Sequence, residues 1–198
     1  ARNLLIETYP VRPGETILIH AAAGGVGLIM CQWAKLLGAT VIGTMGSDEK
    51  AEVARAHGCD HTIIYTRENF ADRVREITDG AGVPVVYDSV GELTFHASLD
   101  CLQPRGMMVQ FGEASGDPLP IPPRILGLKG SLYLTHPSLG DYAKNRDDLL
   151  RQSGDLFDMV GSGKITVGIN QTYPLSEVAQ AHGDMEARIT TGSSLLIP

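Results

Sequence analysis

Hydrophobic positions along the chain follow two alternating rhythms. Short, nearly unbroken apolar runs predict buried strands at Thr16–Ala21, Thr40–Gly43, His61–Tyr65, Val83–Asp88, Met107–Phe111 and Gly130–Thr135. Between them apolar residues recur every three or four positions. Leu28, Ile29, Cys31, Trp33 and Leu36 mark one helix, and Ala51, Val53, Ala54 and Ala56 a second. Phe70, Val74 and Ile77 mark a third, and Glu92–Leu99 reads as a fourth. Gly38, Gly58 and Asp79-Gly80-Ala81-Gly82 end the first three, and Ser47 is placed to cap the second. A proline-rich loop from Asp117 to Pro123 leads through a short helix, Arg124–Leu128, to the sixth strand.

This β-α-β-α order is the mark of an α/β fold with a parallel sheet covered on both faces. Right-handed crossovers make it doubly wound and six-stranded, in the order 3-2-1-4-5-6, the Rossmann arrangement. After the sixth strand the rhythm changes. Asp141–Val160 reads as a long amphipathic helix with Leu149, Leu150, Leu156, Phe157 and Val160 inward. A strand (Asn170–Leu175), a helix capped at Ser176 and running to Arg188, and a last strand (Ser194–Ile197) exceed what the sheet needs. They read as a return to a partner domain. Arg2–Thr8 resembles the end of a helix whose beginning is missing, so the chain is expected to be a piece of a longer protein.

The stretch between the first strand and the first helix carries the chemistry. Ala21-Ala22-Ala23-Gly24-Gly25-Val26-Gly27 is a glycine-rich turn between strand and helix, the context of a dinucleotide-binding fingerprint. Without a side chain at Gly24 the backbone can approach a pyrophosphate, and Gly27 lets the helix pack closely on the strand. The free amides at the start of the helix and its positive dipole end then face the phosphates. The usual first glycine of the pattern is Ala22 here.

Charge and cysteine usage narrow the field. Sixteen basic against 23 acidic residues give a net charge of −7, which argues against nucleic acid as a partner. The cysteines, Cys31, Cys59 and Cys101, show no paired spacing, consistent with a reducing, cytoplasmic setting. No run is long and apolar enough to span a membrane. The six histidines show no metal-ligand spacing, and no residue offers itself as a catalytic acid, base or nucleophile.

The second strand decides the cofactor. An NAD site places an acidic residue about 20 positions beyond the fingerprint. Here the strand ends Gly43-Thr44-Met45-Gly46-Ser47, with no carboxylate at the strand end. Ser47 offers a hydroxyl and a helix start, and Lys50 an ammonium, so NADPH is favoured over NADH. Asp48 is the counter-argument, and an ordinary solvated lysine is the alternative for Lys50. Tyr65 ends the third strand at the carboxyl edge, where it could stack on adenine or bond a phosphate. Its ring could equally lie in the core. Ser89 and Phe111-Gly112 occupy the same edge beyond the fourth and fifth strands, where the nicotinamide end belongs. Asp88 reads as a cap.

Together with Val86-Tyr87-Asp88-Ser89-Val90-Gly91, Gly130-Ser131-Leu132-Tyr133-Leu134-Thr135 and Thr191-Gly192-Ser193-Ser194-Leu195-Leu196-Ile197-Pro198, these words resemble the zinc-free quinone oxidoreductases of the medium-chain dehydrogenase/reductase superfamily. The resemblance implies hydride transfer from NADPH to a quinone or similar electrophilic enone. It implies a cofactor site of Ala23, Gly24, Gly25, Val26, Gly27, Gly46, Ser47, Lys50, Tyr65, Ser89, Phe111, Gly112, Glu113 and Arg188. Lys50, Tyr65 and Arg188 would surround the 2′-phosphate. Glu113 departs from the amide or small polar residue usual there. Residues 1–12 would end an inter-domain helix, 13–168 bind NADPH, and 169–198 return toward a GroES-like substrate domain. The resemblance also implies a homodimer through Leu132 and Leu134 of the edge strand. An enoyl-thioester or alkenal reductase, and a non-catalytic module sensing NADPH, are the alternatives.

Overall fold

A computed structural model describes residues 1–198. Strands β1 (Thr16–Ile19), β2 (Thr40–Met45), β3 (His61–Ile64), β4 (Val83–Asp88), β5 (Leu102–Gln110) and β6 (Tyr133–Thr135) form one sheet. Its order is β3-β2-β1-β4-β5-β6, and every pairing is parallel. The order reverses between β1 and β4, which opens a crevice at the carboxyl edge.

The alternation of strand side chains divides the core between two faces. Ile17, Ile19, Val41, Val85 and Tyr87 pack under α1 (Gly25–Leu36) and α2 (Asp48–Ala56). Leu18, Ile42, Ile63, Val86 and Met108 pack under α3 (Phe70–Ile77) and α4 (Phe95–Cys101). The helix starts are capped locally. Ser47 Oγ accepts from the Lys50 amide, and Asn69 Oδ1 accepts from the amides of Ala71 and Asp72.

Two glycines set how closely these layers meet. A Cβ on Gly27 would stand 2.4 Å from the Ala21 carbonyl oxygen, so α1 can reach β1 only because residue 27 has no side chain. A Cβ on Gly43 would stand 2.6 Å from the Ala22 methyl. The alanine in place of the usual first glycine is thus accommodated by a glycine on the neighbouring strand.

Several expectations need correction. β5 begins at Leu102, earlier than expected, because the Arg105-Gly106 turn (Arg105 φ 63°) lies inside the strand as an irregularity. β6 is only Tyr133–Thr135: Gly130 and Ser131 have φ of 112° and 58°, outside the extended region, and Leu132 is buried in the core of its own chain. Leu132 is therefore not an edge contact, whereas Tyr133 and Leu134 are exposed.

The expected long helix is divided into α6 (Leu139–Tyr142) and α7 (Arg146–Gly161), with the Asn145 side chain capping the second. On α7 only a narrow stripe of Gln152, Leu156, Met159 and Val160 turns inward. Leu149, Leu150 and Phe157 are exposed, Phe157 by 70%. Ser176 sits within a 3-10 turn (Leu175–Glu177) and makes no capping bond to α8 (Val178–Glu186).

The remaining helix α5 (Arg124–Leu128) precedes β6. At the beginning of the chain, Leu4–Thr8 forms a wide π-helical turn that ends well before residue 12. At the end, β7 (Ile169–Pro174) and β8 (Ser193–Ile197) pair in parallel as a separate two-stranded sheet. This return docks on the glycine turn, with the Gly192 amide donating to the Ala23 carbonyl at 3.0 Å.

The Gly43–Ala22 contact is testable by urea denaturation. Gly43→Ala is expected to lower stability by about 1–3 kcal/mol, the usual cost of overpacking. Adding Ala22→Gly in the same chain should recover part of that loss. A double variant no more stable than Gly43→Ala alone would contradict the reading.

Candidate cofactor-binding site

The turn bends through Ala21, at φ 50°, and delivers Gly24 as the residue before α1. The Gly24 amide is used internally, on the Ala21 carbonyl at 2.9 Å. The amides of Val26 and Gly27, in the first turn of α1, have no protein acceptor, whereas that of Gly25 faces the Gly192 carbonyl across a parallel bridge between Gly24 and Gly192. Such amides, with the helix dipole behind them, bind an anion. Gly25 also abuts the C-terminal return: a Cβ there would stand 3.2 Å from the Gly192 carbonyl oxygen.

Beside the turn lie two adjoining cavities of about 300 and 560 Å³. Gly46, Lys50, Tyr65 and Arg188 line both, Ala23 and Gly24 the smaller, and Ser47 the larger. Tyr65 is exposed, with its ring on the cavity wall rather than in the core. Its hydroxyl would be 3.0 Å from a Cβ on residue 46, so glycine is what admits it. Asp48 lines neither cavity and pairs with Arg67 at 2.6 Å. Glu49 does line the larger one, with its carboxylate exposed.

Arg188 reaches this place on the C-terminal return, at the end of α8, with φ 59°. The Lys50 ammonium donates to the Arg188 carbonyl oxygen. Burial, and then the Arg188 guanidinium, hold the lysine below its ordinary pKa. Two cations thus share a small cavity next to a turn of free amides. A doubly charged phosphate between them would relieve that repulsion.

The other predicted residues divide differently. Val26 and Phe111 line a third cavity of about 450 Å³. Ser89, Gly112 and Glu113 line none of the three. Ser89 and Gly112 pack together, a Cβ on Gly112 lying 3.2 Å from the Ser89 carbonyl oxygen. Glu113 Oε1 instead pairs with His136 Nε2 at 2.9 Å.

Beneath the edge lies a buried polar chain. Asp88 Oδ1 accepts from the amides of Val90 and Gly91, at 2.7 and 3.1 Å, and Oδ2 accepts from Thr94 Oγ1 at 2.7 Å. Asp88 therefore caps the turn into α4 and fixes Val90, which lines the smaller cavity. His20 Nε2 meets Ser98 Oγ, and Nδ1 meets Thr44 Oγ1, both at 2.8 Å. Because Ser98 Oγ donates to the Thr94 carbonyl, hydrogen counting has Nε2 donate to Ser98 and Nδ1 accept from Thr44. The ring is neutral, and burial holds its pKa below the ordinary value despite the nearby Asp88 carboxylate.

The profile of the zinc-binding dehydrogenase family matches residues 25–150. The chain belongs to that family. The resemblance to the quinone oxidoreductases is borne out as well. Over 98% of the chain it is 54% identical to a quinone oxidoreductase of Pseudomonas aeruginosa. Over its full length it is 52% identical to a 2-haloacrylate reductase of a Burkholderia species. The crystal structure of Escherichia coli quinone oxidoreductase complexed with NADPH superposes on 99% of the chain with a TM-score of 0.96 and 51% identity. The chain spans about 60% of each of these proteins. In this member of the dehydrogenase family no cluster of three or more His, Cys, Asp or Glu is placed to hold a metal ion. No helix is long and apolar enough to cross a membrane.

Met185, Thr190 and Thr191 also line the cation cavities and escaped the sequence reading. Nothing local marks them. Contacts between residues far apart in the chain, Gly192 with Ala23 and Arg188 with Lys50, bring them to the turn.

The neutral His20 predicts a pH dependence. Its folded pKa lies below the unfolded value of 6.5, so below that pH the unfolded chain takes up a proton that the folded chain refuses. Stability should fall with acidity from pH 6.5, by at most about 1.4 kcal/mol per pH unit from this group. His20→Gln should flatten that slope in urea midpoints measured between pH 7 and 5. An unchanged slope would remove His20 as its cause.

Proposed function

We propose that residues 13–168 are the NADPH-binding domain of a quinone oxidoreductase, with 1–12 and 169–198 joining it to a GroES-like substrate domain. The observation that carries the cofactor assignment is the Lys50–Arg188 pair beside the free amides of Val26 and Gly27. The amides and the Gly24 backbone would take the pyrophosphate. Lys50, Arg188 and Ser47 would take the 2′-phosphate, and Tyr65 would close over the adenosine. Val26, Phe111, Ser89, Gly112 and Glu113 would border the nicotinamide end.

NADPH supplies a hydride to an electron-poor carbon or ring, and the overall reaction consumes one proton per quinone reduced to hydroquinone. The protein's share is orientation and exclusion of water. A reductase of activated alkenes is the second reading, favoured by the 52% identity to a 2-haloacrylate reductase. We place the protein in the cytoplasm, where its three buried thiols stay reduced.

Titration of NADPH and NADH into the chain tests the assignment. Lys50→Ala or Arg188→Ala should weaken NADPH by about 1.5–3 kcal/mol, the worth of a hydrogen bond to a charged group. NADH binding should hardly change. Equal affinity of the wild type for both cofactors would overturn the 2′-phosphate site.

We also propose a homodimer that pairs β6 with its copy, since Tyr133 and Leu134 are exposed on the edge of the sheet. Sedimentation should show a dimer for the wild type and a monomer for Leu134→Arg. A wild-type monomer would end that proposal.

A further inference from the structure

At the opposite end of the strands from the coenzyme crevice lies a polar cavity of about 490 Å³. Tyr9, Arg12 and Glu15, ahead of β1, form one wall, and Gln103, Pro104 and Arg105, near the start of β5, form the other. Glu15 is engaged: Oε1 accepts from Tyr9 Oη at 3.0 Å and Oε2 from the Arg12 amide at 2.9 Å. Burial, and then the bond to Glu15, push the Tyr9 phenol up to about 12, so its hydrogen stays on that carboxylate. The guanidinium groups of Arg12 and Arg105 and the side-chain amide of Gln103 have no partner in the protein. Glu15 is the only carboxylate of the cavity, which is therefore cationic in a chain of net charge −7. The backbone is distorted to place Arg105 there. While β4 advances from Val83 to Val85, its partner β5 advances from Leu102 to Met107. The surplus residues leave the ladder as a bulge, with Arg105 at φ 63° and its amide bound to the Gly130 carbonyl at 2.7 Å. Bulges re-aim side chains, and a left-handed residue other than glycine carries strain of the kind kept at functional sites. Glycine would relieve it but has no guanidinium to offer.

We propose that this cavity binds a small phosphorylated polyol, with Arg12 and Arg105 on the phosphate and Glu15 and Gln103 on the hydroxyl groups. A guanidinium fork matches two phosphate oxygens. Glu15 keeps lone pairs free after its two bonds, and Gln103 offers both donors and an acceptor, which suits hydroxyls that donate and accept. The volume is that of a small-molecule site and exceeds what a bare ion needs. The inference stands apart from the reductase reading, because the cavity shares no residue with the two beside the glycine turn.

Equilibrium dialysis of glucose 6-phosphate, glucose and inorganic phosphate against the chain tests it. The wild type should bind glucose 6-phosphate at least about tenfold tighter than either glucose or phosphate. Arg12→Gln and Arg105→Gly should each weaken it by at least about tenfold, the worth of a hydrogen bond to a charged group. Lys50→Ala should leave it within about twofold, which separates this cavity from the coenzyme site. Arg105→Gly should also keep or raise the urea midpoint, since glycine suits a φ of 63°, so that lost binding is not lost folding. The two arginine variants are independent, and a folding defect in one leaves the other to decide. A wild type that does not bind glucose 6-phosphate, or binds it no tighter than phosphate alone, overturns the inference. So does binding that ignores both arginine substitutions or falls with Lys50→Ala.

Discussion

The first helix must approach the first strand more closely than any side-chain carbon at residue 27 would allow. A Cβ there would lie 2.4 Å from one backbone oxygen and 2.7 Å from the next, and neither oxygen can withdraw without unmaking the turn. This contact sets the tilt of α1 and therefore the direction of its free amides. The turn also supplies the carbonyl on which the C-terminal return docks. The turn held by this contact thus presents both the amides that face the crevice and the anchor of the tail.

Much of this was legible in the sequence because it is local. Strand runs, helix periodicity, the Ser47 cap and the glycine turn are each specified within about a dozen residues, and all six strands took their expected order. Lys50 and Tyr65 were legible from their places at the ends of β2 and β3. Arg188 was not. On its own helix it is an ordinary terminal arginine, and only family resemblance marked it. What brings it to the cavities beside the turn is a contact spanning most of the chain, which no window of sequence contains. The misplaced leucines of α7 have a related cause. Periodicity shows that a helix has an apolar side, but not how much of that side its own domain covers, and here the domain covers only a narrow stripe.

The polar interior shows the opposite economy. Thr44, His20, Ser98, Asp88 and Thr94 come from β2, the end of β1, α4 and β4, and their hydrogens match their acceptors when the imidazole is neutral. A fully matched buried chain rigidifies its surroundings. What it holds still is the loop of Val90 and Gly91, directly above the crevice. Rigidity at the carboxyl edge is thus built from groups that never reach the surface.

The docking of the last thirty residues on the turn has a thermodynamic consequence. Lys50 belongs to the sheet domain and Arg188 to the return, so an anion that bridges them is shared by two parts of the chain. By linkage, whatever tightens the anion's grip also tightens the tail's, and to the same degree. With the proposed coenzyme phosphate as that anion, coenzyme and C-terminus would be mutual effectors, each setting how firmly the other is kept.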